Sequence, residues 1–378
     1  MKTSIKKTIK KARKMIVREH AYRSRLPFVH KLVKKNNCPE LSKDEIKTIN
    51  DYWMQFGIRI PDKSWFQLYY AITGIKDPRF IPQEIAFYSI QPFYNNAKFT
   101  EAYKDKNAFD TFIAPECFPK TIIKRIDGLF YDCNEKYITD SVTESSLLNI
   151  LLKEKEFIIK NAIDSGRGEN VRKYQADSLQ DVESVLKEWT APNYIVQKVI
   201  HQHPFFAQFN SSSVNIIRIN TWYHNGKVVI STPVLRFGMP GHATDVCYID
   251  GEEMVHLVGI TEDGFLRDKV VDMTGKVEDL NKYVSVPLGE ERVPAWDDII
   301  MMIKKCAAKL RHFRMIGWDV TVNDENKPII IEYNISKPST FSSQITDGPI
   351  WDKYTDEVLE FFKDEKNRKQ YLPNRYRI

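Results

Sequence analysis

Hydrophobic and polar positions change rhythm along this chain. Up to about residue 110 apolar positions recur at helical spacing in a charged, aromatic-rich background, as in Leu41 to Gly57 and Lys63 to Thr73, and strand signals are few. From about residue 119 short β-rich runs alternate with helices. Phe157 to Lys160 reads as a strand entering a loop, Asn161 to Asn170, with Val171 to Gln175 returning as its partner. Ser178, with Asp181 three residues on, marks a capped helix start that runs to about Trp189. Tyr194 to Ile200 is the next strand. Val214 to Tyr223 and Lys227 to Phe237 then form a hairpin around Asn225-Gly226, a strong two-residue turn signal. That register sets Asn215 opposite Arg236 on one face and points Arg218 to the other. An amphipathic helix over Trp296 to Phe313 leads to a second hairpin, and a last helix, about Trp351 to Phe362, precedes a basic tail from Lys366.

The second hairpin carries the chemistry. With Asp324 to Lys327 as its turn, Asn323 faces Pro328, Asp319 faces Glu332 and Gly317 faces Asn334. The alternate face is wholly apolar and is expected to be buried: Ile316, Trp318, Val320 and Val322, with Ile329, Ile331, Tyr333 and Ile335 across from them. Carboxylates directly opposite each other repel. The polar face therefore either meets water or holds a cation. Oxygen donors without His or Cys suit a hard divalent ion, magnesium first, and magnesium points to nucleotide phosphate.

Composition and charge narrow the classes. A chain of 378 residues, 42% hydrophobic and 12% aromatic, can form two or three domains. Residues 1–35 hold thirteen Lys or Arg against Glu19 alone, a local charge of +12 within a formal total of +6, so the remaining 343 residues carry −6. Ile5, Ile9, Met15 and Ile16 interleave with those lysines at loosely helical spacing. This is the pattern either of a segment lying on an anionic membrane surface or of a solvated basic helix. The acidic body and the lack of any nucleic-acid module argue against nucleic acid as a partner. No apolar run reaches the roughly 18 to 20 residues of a membrane span, and no signal-peptide core is evident, which argues for the cytoplasm. Cys38, Cys117, Cys133, Cys247 and Cys306 are odd in number and far apart, as reduced thiols would be.

Other candidates are weaker alone. The glycine loop after Lys160 can close backbone N–H groups of Gly166 to Gly168 on phosphate oxygens, or can serve turn geometry only. Arg218 and Arg236 offer guanidinium forks for phosphate or carboxylate, or salt bridges to a sheet neighbour. His201-Gln202-His203-Pro204 has no accompanying carboxylate or cysteine spacing and suits a polar or capping role better than a metal. Ser211-Ser212-Ser213 lacks a nucleophile elbow.

Taken in order, these segments resemble an ATP-grasp ligase: Phe157 to Lys160 with Ser165-Gly166-Arg167-Gly168, then Tyr194 to Val199 as a hinge, then Asp319 with Glu332-Tyr333-Asn334. The thirteen-residue step from Asp319 to Glu332 is similar to the metal site of D-alanine:D-alanine ligase. Gln202-His203-Pro204, Ser212 to Arg218 and Gly317 to Val320 resemble, more narrowly, the sugar-transfer-associated ATP-grasp family. The likeness spans about residues 119–340. It implies an α+β ATP-grasp fold, two subdomains gripping ATP behind a mostly helical N-terminal region, divided as 1–110, 111–200 and 201–378. Asp319, Glu332 and Asn334 would hold one or two Mg²⁺, with Mn²⁺ as an alternative. Lys160, Ser165 and the Gly166, Arg167 and Gly168 loop would hold phosphates, with Lys120 as a second lysine. Gln197 and the Lys198 and Val199 backbone would read adenine, with His203 and Asn215 contributing to the nucleotide site. Arg218, Arg236 and Lys160 would act on the transferring phosphoryl group.

Three departures qualify this. Gly317 stands where D-alanine:D-alanine ligase has a substrate arginine, which removes that substrate. Thr244 to Glu253 replaces the family's Asp-Asn and Gly-Gly, and Arg167 sits between the loop glycines. The resemblance implies an ATP-dependent carboxylate–amine or carboxylate–thiol ligase working through an acyl phosphate in cell-surface polysaccharide biosynthesis. Its substrates would be ATP and a carboxylate, sugar-linked or an amino acid, with residues 1–35 at the inner membrane face. Phosphotransfer to a sugar or polyol hydroxyl is the alternative. A non-catalytic scaffold held by its basic N-terminus is the third, which the intact Asp319, Glu332, Asn334 and Lys160 oppose.

Overall fold

The computed structural model describes residues 24–138, 140–163, 170–242, 244–249, 251–284, 292–364 and 367–368. The basic segment 1–23, the loop residues Ser165, Gly166, Arg167 and Gly168, and nearly all of the basic tail lie outside the described residues.

Helices α1 (Leu26–Lys35), α2 (Lys43–Gln55) and α3 (Ser64–Thr73) come first among the described residues. Ser42 and Glu45 cap α2 reciprocally: Ser42 Oγ accepts from the Glu45 N–H at 3.2 Å, and the Glu45 carboxylate accepts from the Ser42 N–H at 2.7 Å. This cap starts the helix two residues inside the expected Leu41. Gly74, at φ +73°, ends α3 in the left-handed conformation that a side chain would strain.

A five-stranded antiparallel sheet follows, built from β1 (Thr121–Ile126), β2 (Leu129–Asp132), β3 (Glu156–Asn161), β4 (Val171–Gln175) and β5 (Tyr194–Lys198) in the order β2-β1-β5-β3-β4. Helices α4 (Asp140–Glu154) and α5 (Leu179–Glu188) cover one face, where Leu151, Val182 and Val185 meet Phe157, Ile159 and Val196. The expected Ser178 cap is present, its Oγ accepting from the Asp181 N–H at 3.2 Å.

The larger sheet has eight strands. Its members are β6 (Ile216–His224), β7 (Lys227–Ile230), β8 (Val234–Phe237), β11 (His256–Ile260), β12 (Leu266–Asp272), β13 (Val277–Asp279), β14 (Met315–Val322) and β15 (Pro328–Asn334). A separate hairpin, β9 (Cys247–Ile249) and β10 (Glu252–Met254), leaves and rejoins it. The strand order is β13-β12-β11-β8-β6-β14-β15, with β7 also beside β6. All eight residues of β14 are buried, so both of its faces are packed. One face, with Ile217, Ile219, Ile316, Trp318, Val320 and Val322, packs in one core with α6 (Trp296–Ala307). The other, with Trp222, Val234 and Met315, lies in one core with α1 to α3, α7 (Phe341–Asp347) and α8 (Thr355–Lys363). The two ends of the described chain therefore share a core. Helix α6 stops short of the expected Phe313 because the chain turns at 308–313 and inserts Leu310 and Phe313 into the apolar face.

Two registers differ from expectation, and both differences shape the site. Ser231, Thr232 and Pro233 break the return arm of the first hairpin: the Ser231 N–H donates to the Asn220 carbonyl at 2.8 Å, and Pro233 has no N–H to give. The turn itself pairs as expected, His224 with Lys227, but past the break Arg236 pairs with Ile216 instead of Asn215. Arg236 and Arg218 thus share a face rather than pointing apart. In the second hairpin Asp319 faces Glu332 and Gly317 faces Asn334, as the spacing requires. Its turn is tighter than expected. The Asn323 N–H donates to the Lys327 carbonyl at 3.0 Å around Asp324 to Asn326, with Asn326 at φ +60°. Val322 therefore pairs with Pro328, and a bulge at Ile331 restores the register before Glu332. The bulge sends Ile330, not Ile329 or Ile331, into the core.

Candidate active site

The two sheets face each other across a cleft, and charged side chains converge where β3 meets β14 and β15. Lys160 is the penultimate residue of β3, is 8% exposed, and donates from Nζ to the Ile331 carbonyl at 3.5 Å, an acceptor presented by the bulge. A second lysine joins it. The 3₁₀ turn Lys106–Ala108 is capped by Asp105 Oδ1, which accepts from the Asn107 N–H at 2.9 Å. The Lys106 N–H donates to the Ala162 carbonyl at 3.0 Å, pinning the turn to the end of β3. Lys106 Nζ lies 3.7 Å from Glu332 Oε2. Burial, and then the like charge of Lys106, push the Lys160 pKa down to about 8 against the pull of Glu332.

On the opposite wall the ladder pairs Arg218 of β6 with Asp319 of β14. The pair is a bidentate fork, Nε to Oδ1 at 2.6 Å and Nη2 to Oδ2 at 2.9 Å, and Asn334 Nδ2 donates to the same Oδ2 at 3.1 Å. The cation that two facing acids demand is thus met in part by a guanidinium from the neighbouring strand. Burial opposes the charge of Arg218, and Asp319 more than restores it, so its pKa is raised. Arg236 Nη2 lies 2.9 Å from Asp245 Oδ2 without the alignment of a hydrogen bond; Arg236 Nε and Asp245 Oδ2 stay buried with no hydrogen-bond partner. Burial raises the Asp245 pKa against the pull of Arg236.

Two cavities, each of about 540 Å³, meet on this floor. The first lies between the sheets and is lined by Lys106, Lys160, Gln197, Lys198 and Val199, among others. The second runs from Arg218, Arg236 and Asn334 to α1. Ile216, Asp245, Asp319 and Glu332 line both. Asp319, Glu332 and Asn334 offer oxygen donors on adjacent strands, a set that fits a hard cation with the amide oxygen as third donor. Among the described residues no group of three His, Cys, Asp or Glu is placed to hold a metal. The orphaned Arg236 and Asp245 atoms beside them leave buried hydrogen-bonding capacity next to this donor set.

The other candidates divide. Gln197 is 6% exposed and donates to the Pro119 carbonyl at 3.2 Å from the cavity wall. Lys198 turns its ammonium to Glu154 at 2.7 Å. His203 caps a short helix, its Nδ1 accepting from the Phe205 N–H at 3.1 Å. Asn215 is fully buried and donates to the Phe206 and Asn210 carbonyls at 2.7 and 2.8 Å. Neither lines either cavity. Lys120 is exposed and contributes its carbonyl to the Lys198 N–H at 2.9 Å; the lysine beside Lys160 is Lys106. Sequence reasoning missed Lys106, whose only signal is the acid-capped turn at Asp105, and passed over Asp245 within an unassigned stretch.

A family model described as sugar-transfer associated ATP-grasp matches residues 89–357. No curated protein matches the chain. Among solved structures, the ATP-grasp ligase PsnB complexed with minimal precursor is 12% identical at a TM-score of 0.39, over 71% of this chain and 63% of that one. The D-alanine-D-alanine ligase from Coxiella burnetii is 12% identical at 0.39, over 73% and 62%. The N5-carboxyaminoimidazole synthetase from Staphylococcus aureus complexed with ADP is 7% identical at 0.39, over 65% and 48%. The chain thus spans less than two thirds of the length of each. Superpositions this loose leave every residue's role to the geometry above.

Proposed function

The chain belongs to the sugar-transfer-associated ATP-grasp family, and from that premise we propose that it is an ATP-dependent ligase. It activates a carboxylate as an acyl phosphate and joins the acyl group to an amine or thiol, in the synthesis or modification of cell-surface polysaccharide. The observation that carries this reading is the floor of Asp319, Glu332 and Asp245 shared by two cavities, which suits a γ-phosphate meeting an acid from the other side. ATP occupies the first cavity, adenine toward Gln197 to Val199 and phosphates toward Lys106 and Lys160. The acid occupies the second. Asp319, Glu332 and Asn334 would hold one or two Mg²⁺, which would supply charge neutralisation for the phosphates.

A carboxylate oxygen attacks the γ-phosphorus and ADP leaves; the amine then attacks the acyl carbon and inorganic phosphate leaves. Arg236 and Arg218 stabilise the oxygens that gain charge, and the remaining work is alignment. The reaction is cytoplasmic, and the basic segment 1–35 suits contact with an anionic membrane face. Among the described residues no helix is long and apolar enough to cross a membrane.

Hydroxylamine trapping tests the proposal directly. With Mg·ATP and a panel of amino acids and uronic acids, at least one acid yields a hydroxamate together with ADP. ADP release without hydroxamate for every acid would sink the ligase reading and favour phosphotransfer to a hydroxyl. Absence of magnesium-dependent nucleotide binding would sink both.

A further inference from the structure

The second cavity has a wall that the nucleotide does not use. Its floor cations are matched by carboxylates, Arg218 by Asp319 and Arg236 by Asp245, and at the rim Lys31 pairs with Glu252 at 2.9 Å. Arg25 and Lys337 line the same cavity and have no carboxylate partner among the described residues. They lie over consecutive rings. The Arg25 guanidinium carbon is 5.3 Å from the Phe87 centroid, and Lys337 Nζ is 4.5 Å from the Tyr88 centroid.

The placement of Lys337 is imposed by its surroundings. Its backbone is left-handed at φ +54°, a conformation that a lysine before proline does not adopt freely. The next residue, Pro338, is buried, and its carbonyl accepts from Gln91 Nε2 at 2.6 Å. Pro338 also packs over Gly317, where a Cβ would come within 3.0 Å of it. Gln91 and Gly317 therefore hold the lysine at the cavity. Arg25 stands at the start of α1, and Phe28, Phe87 and Phe341 give the same cavity an apolar lining between the charged floor and the rim.

Resting on the ligase reading, we propose that this cavity binds an acid that carries a second anionic group, phosphate or carboxylate, and that Arg25 and Lys337 recognise that second group. The reacting carboxylate lies at the floor beside Arg236, and the second anion meets the two unmatched cations. An aromatic face supplies only part of the counter-charge a cation needs, whereas an anion supplies it with charge-assisted hydrogen bonds. Arg25 precedes the residues matched by the family model, 89–357, so half of this subsite belongs to the chain's own N-terminal region.

The test is calorimetric titration of the full chain saturated with Mg·AMPPNP, which fills the first cavity. Glucuronic acid, glucuronic acid 1-phosphate and glucaric acid are the three probes. The second anion tightens binding by about tenfold or more, and whether phosphate or the second carboxylate does so names the group. R25Q/K337Q loses that preference and K337R keeps it, with thermal unfolding reporting that each variant folds. Equal binding of the three acids, binding of none, or a preference that survives in R25Q/K337Q overturns the inference and leaves the ligase reading standing. Failure of Mg·AMPPNP to bind overturns the ligase reading itself.

Discussion

The two cavities share four residues and differ in what surrounds them. The first is walled by strands of both sheets, and two of its cations, Lys106 and Lys160, are set by hydrogen bonds to strand ends and bulges. The second takes one wall from helices that precede the family match, so its two cations without carboxylate partners among the described residues, Arg25 and Lys337, depend on helix packing and on one left-handed residue. A ladder tolerates no sliding without moving every side chain to the other face. Packed helices accept different side chains on the same backbone. On the proposed reading, nucleotide handling falls on the ladder-built side and substrate choice on the side walled by helices.

The largest expected effect comes from the shared floor. Asp319→Asn abolishes turnover and also leaves Arg218 buried without its carboxylate, a loss of about 3 to 5 kcal/mol in unfolding free energy. Glu332→Gln cuts turnover by about a hundredfold or more with little change in stability, since its side chain is 29% exposed. Denaturant unfolding of both variants separates the two roles, and equal destabilisation would contradict the pairing described.

Next comes the nucleotide wall. Lys160→Met weakens Mg·ATP binding by about ten- to a hundredfold, measured by titration calorimetry. In the free protein Lys160 titrates near 8 rather than 10.5, so the unfolded chain holds more protons between those values and stability rises with pH across that window. Lys160→Met lacks that rise. Nucleotide affinity of the wild-type chain moves the other way, falling as pH climbs through about 8 and the lysine loses its charge.

A last effect, on stability alone, lies behind the helical wall. Glu84 is fully buried, with Trp65 Nε1 donating to it at 2.6 Å, and burial raises its pKa from 4.5 to about 7. Folding is therefore penalised increasingly as pH rises from 4.5 to 7, and the penalty is constant above that. Glu84→Gln leaves stability unchanged below pH 4.5 and raises it above pH 7, by up to about 3 kcal/mol. Melting curves at both ends of the window check the sign.

Much of this was legible along the chain because local rules agree there. The Ser178 cap, the Asn225-Gly226 turn and the period-two alternation around Trp318 each encode their element within a few residues. Less legible were features that hang on a single extra residue. The break at Ser231 to Pro233 moved Arg236 onto the face of Arg218, and the tight turn at Asn326 had to be undone by the Ile331 bulge. Lys106 was hidden for another reason: 54 residues separate it from Lys160, and nothing periodic connects them.

The sequence by itself determined that Asp319 would face Glu332, that Trp318 and its neighbours would be buried, and that Lys160 would lie near the end of a strand. Alternation, turn chemistry and spacing are short-range, and a chain carries them wherever it folds. Only the tertiary structure decided that Arg218 neutralises Asp319, that Lys106 rather than Lys120 accompanies Lys160, and that α1 walls the second cavity. Those outcomes depend on which strands become neighbours and on how far each is offset, and burial of the whole apolar surface settles that at once.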